Sequence, residues 1–276
     1  MRSPSASSWG EGTLSVRSRS PSRTVWKPRR RRSLVVASDF GPGSLYVGQL
    51  HAVLAQRPDG IPLVDFAHDL APFAPRAAGL LLAAHWPFLP PDSLLLAVVD
   101  PGVGGPRAAA VIEHEAVTCV GPDNGIFAPL LRRLGGRARA FRLAIPRDLP
   151  SVSFHGRDLF APAAVAILAG RAPSLVASTR LDAGEGSWDD VDEIIHIDRY
   201  GNAMTGRRAF TRTGRDTLLV GRRRLGHARV FEEARGPFWY ANSAGLVEIA
   251  SPRGSAADLL GLTVGRPLRW ARTSGR

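Results

Sequence analysis

A single cysteine, Cys119, in 276 residues excludes an intramolecular disulfide and any thiolate-built zinc cluster. It sits in the apolar run AVTCV, the setting of a buried strand thiol and not of a nucleophile. Long apolar runs are also missing. The longest candidate, residues 77–89, is interrupted by His85 and Pro87, so no membrane span is expected. The first residues lack the apolar core of a secretory signal, and a cytoplasmic location is expected by default. No internal repeat is evident. Basic charge is short outside one segment. Lys and Arg total 36 against 24 Asp and Glu, but residues 1–33 hold nine of the basic residues and one acid. The remainder carries a net charge of only +4, which disfavours a nucleic-acid partner.

With 44% hydrophobic and 22% charged residues, the chain can bury a substantial core. Residues 1–32, rich in Ser and Arg, show no apolar periodicity and read as a disordered basic tail. From RSLVVASDFG (32–41) onward, short apolar runs alternate with helix-period segments. Strands are expected at 32–41, 61–68 and 94–100, a hairpin at 108–121, and helices at 46–56, 75–88, 127–135 and 160–170. Apolar runs without strict alternation indicate a mainly parallel sheet covered by helices on both faces. This N-terminal α/β domain is assigned to 33–172. A polar linker follows at 173–190. Residues 191–276 read as short strands and turns, a smaller C-terminal antiparallel β-barrel domain.

Polar residues gather where the expected strands end: Ser38-Asp39-Phe40-Gly41, then Asp65 and His68, then Asp100-Pro101-Gly102-Val103-Gly104. In an open α/β sheet these ends line the ligand crevice, although an acid there can equally cap the next helix. The glycines of VVDPGVGG have neither dinucleotide-fold nor P-loop spacing. A tight turn presenting Asp100, with Arg107 seven residues on, fits better, an ordinary surface pair being the plainer alternative. His155, in FHGRD ahead of the last N-terminal helix, titrates near neutrality, as a structural histidine also would. GPDNG (121–125), DRYGN (198–202) and NSAG (242–245) are polar turns. Glu113-His114-Glu115 alternates along a strand and reads as a solvated face, without metal-ligand spacing.

Taken together and in order, SDFG…YVG, VDFAHDLAPF, VVDPGVG…R, GPDNG, FHGRD.FAP, DRYGN and NSAGLVEIA resemble the S-adenosylmethionine hydroxide adenosyltransferase (SAM hydrolase) family, related to the fluorinase and chlorinase. The resemblance runs from about Leu34 to about Leu268. It implies hydrolysis of S-adenosyl-L-methionine to adenosine and L-methionine, with no metal or organic cofactor. It also implies a homotrimer with each site between one subunit's N-terminal domain and its neighbour's C-terminal domain. By motif, Asp100, Arg107 and His155 resemble the family's catalytic set. Asp39 resembles the carboxylate that binds both ribose hydroxyls, and Phe73 the aromatic lining ribose and adenine. Asp198 and Asn202 match the turn that contacts the methionine amine and adenine, and Ser243 a methionine-carboxylate contact. Ser44 departs from the pattern, because the family often has Asp there to hold the methionine ammonium. The rivals are a halide-using adenosyltransferase on the same fold, opposed by the negative charge of Asp100, and a non-catalytic adenosine or nucleic-acid binder.

Overall fold

The computed structural model describes residues 26–177 and 190–271. The disorder expected for 1–25, and most of the expected linker, lie outside the described residues.

Seven strands form one sheet in the order β2-β1-β3-β5-β4-β6-β7. Its first half is parallel: β1 (Ser33–Ser38) lies between β2 (Leu63–Ala67) and β3 (Ser93–Val98), and β3 pairs with β5 (Val117–Pro122). Its second half is antiparallel, through β4 (Ala109–Glu113), β6 (Arg139–Leu143) and β7 (Leu175–Ala177). The parallel strands are continuous apolar runs because both faces are covered. Leu34, Val36, Leu94 and Leu96 face the helices α1 (Leu45–Leu54) and α4 (Ala161–Leu168). Val35, Ala37, Leu95 and Ala97 face α2 (Pro75–His85) and α3 (Ala128–Leu134). Period-two alternation thus sends one strand's side chains into two cores. Pro75 starts α2, where a missing N–H costs nothing, and Trp86-Pro87-Phe88 closes it as a single 3-10 turn. The sheet runs on through Ala177, so Leu175–Ala177, assigned to the linker, are strand. A three-residue edge strand has too few positions to show periodicity.

The chain is also ordered earlier than its composition suggests. Trp26 is buried against Phe141, with ring centroids 5.5 Å apart, and its indole N–H donates to Glu113 Oε2 at 3.2 Å. Arg31 is buried as well. Its Nε donates to Thr118 Oγ1 (2.9 Å), and its terminal nitrogens donate to the carbonyls of His114 (2.5 Å) and Glu115 (3.1 Å). Residues 26–32 are therefore a strap fixed to the antiparallel half of the sheet, a correction to their assignment as tail. Glu113 and His114 are buried too, not a solvated face. Glu113 receives Trp26 and Arg139, while His114 Nε2 donates to Gly135 O and its Nδ1 accepts the Ala116 N–H. Arginine carries the basic tail's composition and the strap's buried hydrogen bonds alike, so composition alone cannot separate them. Cys119 is wholly buried in β5, and burial pushes its thiol far above the ordinary range.

The C-terminal strands pair antiparallel throughout, in two sheets. One has the order β12-β13-β9-β8 (Phe238–Ala241, Leu246–Ala250, Ala203–Arg208 and Ile194–Ile197). The other has the order β11-β10-β14 (Arg223–Leu225, Thr217–Val220 and Arg269–Ala271). Trp239, Leu218, Val247 and Ile249 form their shared core. Val191, Ile195 and Leu246 instead join the core under α2, and Arg76 pairs with Glu193 at 3.2 Å, tying this half to the first. No helix among the described residues is long and apolar enough to cross a membrane.

Candidate active site

The strand-end motifs converge at the carboxyl ends of the parallel strands. The turn after β3 presents Asp100, and Asn124 of GPDNG donates to Val99 O at 2.9 Å, tying the neighbouring turn to it. Arg107 closes back onto this turn. Its Nε donates to Asp100 Oδ1 at 2.9 Å and one terminal nitrogen to Oδ2. That terminal nitrogen also donates to His155 Nδ1 at 2.7 Å. The guanidinium lies 5.3 Å from the centre of the Phe160 ring. The Asp100 and Arg107 side chains are 5% and 11% exposed, so this is no ordinary surface pair.

His155 is held by an unusual local geometry. A single π-helical turn, Gly156–Phe160, follows it and leads into α4; such turns recur at functional sites. Gly156 sits at a close approach: a Cβ there would stand 3.0 Å from Phe40 Cζ. Phe40 and Phe154 meet edge to face at 5.5 Å, which packs the His155 turn against the turn carrying Asp39. Burial, reinforced by the positive charge of Arg107, holds the His155 pKa below its usual value of 6.5. Arginine has only donors, so His155 Nδ1 is the acceptor and the neutral ring carries its proton on Nε2.

Asp39 follows β1. Its Oδ2 accepts the Phe73 N–H at 3.2 Å. Burial is the main cause that raises its pKa above 3.8, and the nearby negative charge of Asp100 adds to it. Phe73 adopts a left-handed backbone (φ 60°) and its ring is 77% exposed. A non-glycine residue in that region costs energy, and here the strain displays an apolar ring to solvent beside a carboxylate. Ser44 caps α1, its Oγ accepting the Val47 N–H at 3.3 Å.

The remaining expected residues form a second group on the C-terminal sheets. Asp198 accepts the backbone N–H groups of Tyr200 and Asn202 (2.9 Å each) and the Asn202 side-chain amide (3.0 Å). Gly201 makes this turn possible, with φ 79° and a site where a Cβ would fall 2.0 Å from Ser255 Oγ. Ser243 is exposed in the turn held by Asn242, whose Oδ1 accepts the N–H groups of Ala244 (3.0 Å) and Leu246 (2.9 Å). Beneath it lies a buried carboxylate that sequence reasoning did not single out. Glu248 accepts from Tyr240 Oη at 2.5 Å and from Asn242 Nδ2 at 2.8 Å. The signal for it was present: an acid inside the apolar run LVEIA needs buried partners. Among the described residues, no hydrogen bond, ion pair or ring contact joins this group to Asp39, Asp100, Arg107 or His155.

The SAM hydroxide adenosyltransferase N-terminal domain matches residues 34–177, and the C-terminal domain of that name matches residues 192–269. The chain belongs to this family. The adenosyltransferase domains therefore cover both groups of residues just described. A Thermus thermophilus protein named (R)-S-adenosyl-L-methionine hydrolase is 40% identical over 259 residues, covering 86% of this chain and 99% of its own length. One of the same name from Salinispora arenicola is 35% identical, covering 84% of this chain and 95% of its own. A crystal structure of an uncharacterized conserved protein from Thermotoga maritima superposes with a TM-score of 0.73 at 27% identity, covering 87% of this chain and all of that one.

Proposed function

We propose that this enzyme hydrolyses S-adenosyl-L-methionine to adenosine and L-methionine, using Asp100, Arg107 and His155 to activate one water. The observation that carries the reading is the double engagement of Arg107, which binds the Asp100 carboxylate through two nitrogens while donating to His155. The sulfonium substrate is already activated, because methionine leaves C5′ as a neutral thioether. Water is the poor partner. It must be held in line with the C5′–S bond and relieved of a proton, and such positioning is worth about 7–11 kcal/mol when the geometry is good.

Arg107 favours hydroxide-like charge on that water. His155, with Nδ1 occupied by Arg107, offers an Nε2–H donor that orients the water oxygen. Each Asp100 oxygen keeps a lone pair beyond its bond to Arg107, so Asp100 accepts the proton as the C5′–O bond forms. The electron pair of the breaking C5′–S bond goes to sulfur. Asp39 receives the ribose hydroxyls, and Phe73 lies along the ribose and adenine. Asp198, Asn202 and Ser243 serve the methionine and adenine ends. Their separation from the catalytic group within one chain, with Phe73 and Tyr200 exposed on the two groups, supports a homotrimer in which neighbouring subunits complete each site. No step in this scheme needs a metal or organic cofactor.

Incubation of purified protein with S-adenosyl-L-methionine, followed by chromatography, tests the reading. Adenosine and methionine in equal amounts are expected. A 5′-halogenated adenosine formed in the presence of chloride or fluoride, with no adenosine, would assign the chain to the halide-using branch.

A further inference from the structure

His51, Asp65 and His68 stand together outside the proposed catalytic group, and the scheme above gives them no part. Asp65 lies on β2, the edge strand of the sheet, His68 follows it, and His51 projects from α1. His51 Nε2 donates to Asp65 Oδ1 at 2.9 Å, and His68 Nε2 donates to the same oxygen at 3.0 Å. One ligand atom from each residue falls within 4.8 Å of the other two.

We propose that these three side chains bind one divalent transition-metal ion of the zinc class. A tetrahedral zinc with bonds of about 2.0–2.1 Å separates its ligand atoms by roughly 3.3 Å. The two nitrogen–oxygen distances need lengthen only slightly to reach that value. Two imidazoles and one carboxylate suit zinc or its neighbours better than magnesium or calcium, which prefer oxygen alone. His51 and Asp65 are partly exposed while His68 is nearly buried, so water has access to a fourth position.

The supporting contact is built in. Ser38 Oγ lies 2.7 Å from His68 Nδ1 and is itself buried, the kind of partner that orients a ligating histidine. Loading the site requires an exchange of tautomers in both rings besides this small adjustment of distances. The proton on each Nε2 moves to Nδ1, where Ser38 accepts it from His68 and water accepts it from His51. The ion would staple α1 and β2 to the turn that carries Asp39, because His68 O accepts the Gly41 N–H at 2.7 Å and Ser38 O the Leu70 N–H at 3.3 Å. This proposal stands whether or not the hydrolase reading does.

The test uses the full-length chain stripped of metal and titrated with zinc chloride in a calorimeter, then with cobalt chloride in a visible spectrometer. One zinc per chain and an intense tetrahedral cobalt band are expected. His51→Gln, on the partly exposed helix face, should weaken zinc at least tenfold and abolish the band. Asp65→Asn should do the same, with circular dichroism showing both variants folded. His227→Gln, on the C-terminal sheets, should bind like the parent. Substoichiometric binding by the parent, or equal affinity in parent and His51→Gln, would overturn the proposal and leave the three residues as a hydrogen-bonded tether.

Discussion

Replacing Arg107 by Met keeps most of the side chain's length but deletes the cation, and the consequence should depend on pH in a defined direction. Asp100 is 5% exposed and takes two hydrogen bonds from Arg107. Leaving a buried carboxylate without its partner costs about 3–5 kcal/mol, and that loss is expected near pH 8, a condition at which His155 is neutral. In the parent, burial and Arg107 depress the His155 pKa below 6.5. The stability linked to that depression is fully present above the free imidazole value and is lost as pH falls through the folded one. In Arg107→Met the depressing charge is gone, while Asp100 and Asp158 still act to raise the His155 pKa. Burial still depresses the His155 pKa, but less than burial and Arg107 together, so the variant loses less stability than the parent as pH falls. Urea unfolding followed by tryptophan fluorescence should show the gap between parent and variant narrowing from about pH 8 to about pH 5.5. Turnover should fall by about 10²–10³-fold at either pH, through loss of charge stabilisation at the attacking water. A gap that stays constant or widens on acidification would refute the three-residue coupling.

Asp39→Asn keeps an acceptor for the Phe73 N–H but removes the charge. Calorimetric titration should show adenosine binding weakened by about 1.5–3 kcal/mol, and parent-like affinity would remove Asp39 from the ribose site. Trp26→Ala should lower the free energy of unfolding by about 3 kcal/mol, since the indole is buried on Phe141 and hydrogen-bonded to Glu113; an unchanged urea midpoint would show that residues 26–32 do not strap the sheet. If neighbouring subunits complete each site, Asp100→Ala and Asp198→Ala, each inactive alone, should recover activity when dissociated and reassembled together. No recovery from a properly reassembled mixture would place all site residues within one subunit.

The core of the fold was legible because its strands are buried on both faces. SLVVAS and SLLLAV have no polar alternation to confuse with a surface strand, and each is too short for a helix. The candidate catalytic group was legible for a related reason: strands of a parallel sheet end together, so DPGVG and SDFG had to lie near each other. His155 came from its motif, and its contact with Arg107 was not readable from spacing, since 48 residues separate the two. The antiparallel strands β6 and β7, the second of them at the sheet's edge, and the strap at 26–32 were missed. Their sequences, RAFRL, LVA and WKPRRRR, are polar or short, and only tertiary partners such as Glu113 and Thr118 make them ordered. His51 shows the same limit. Its helix position was plain, but the register that brings it to Asp65 across two elements was not.

The origin of the oxygen tests the account most directly. Run in ¹⁸O-labelled water, the reaction should place the label on the 5′-hydroxyl of the adenosine produced, leaving the methionine carboxylate unlabelled. That result requires water to attack C5′, and its disappearance with the activity in Asp100→Ala is expected if the attack takes place where Asp100, Arg107 and His155 meet. Unlabelled adenosine, or label incorporation that survives in Asp100→Ala, would contradict the assignment.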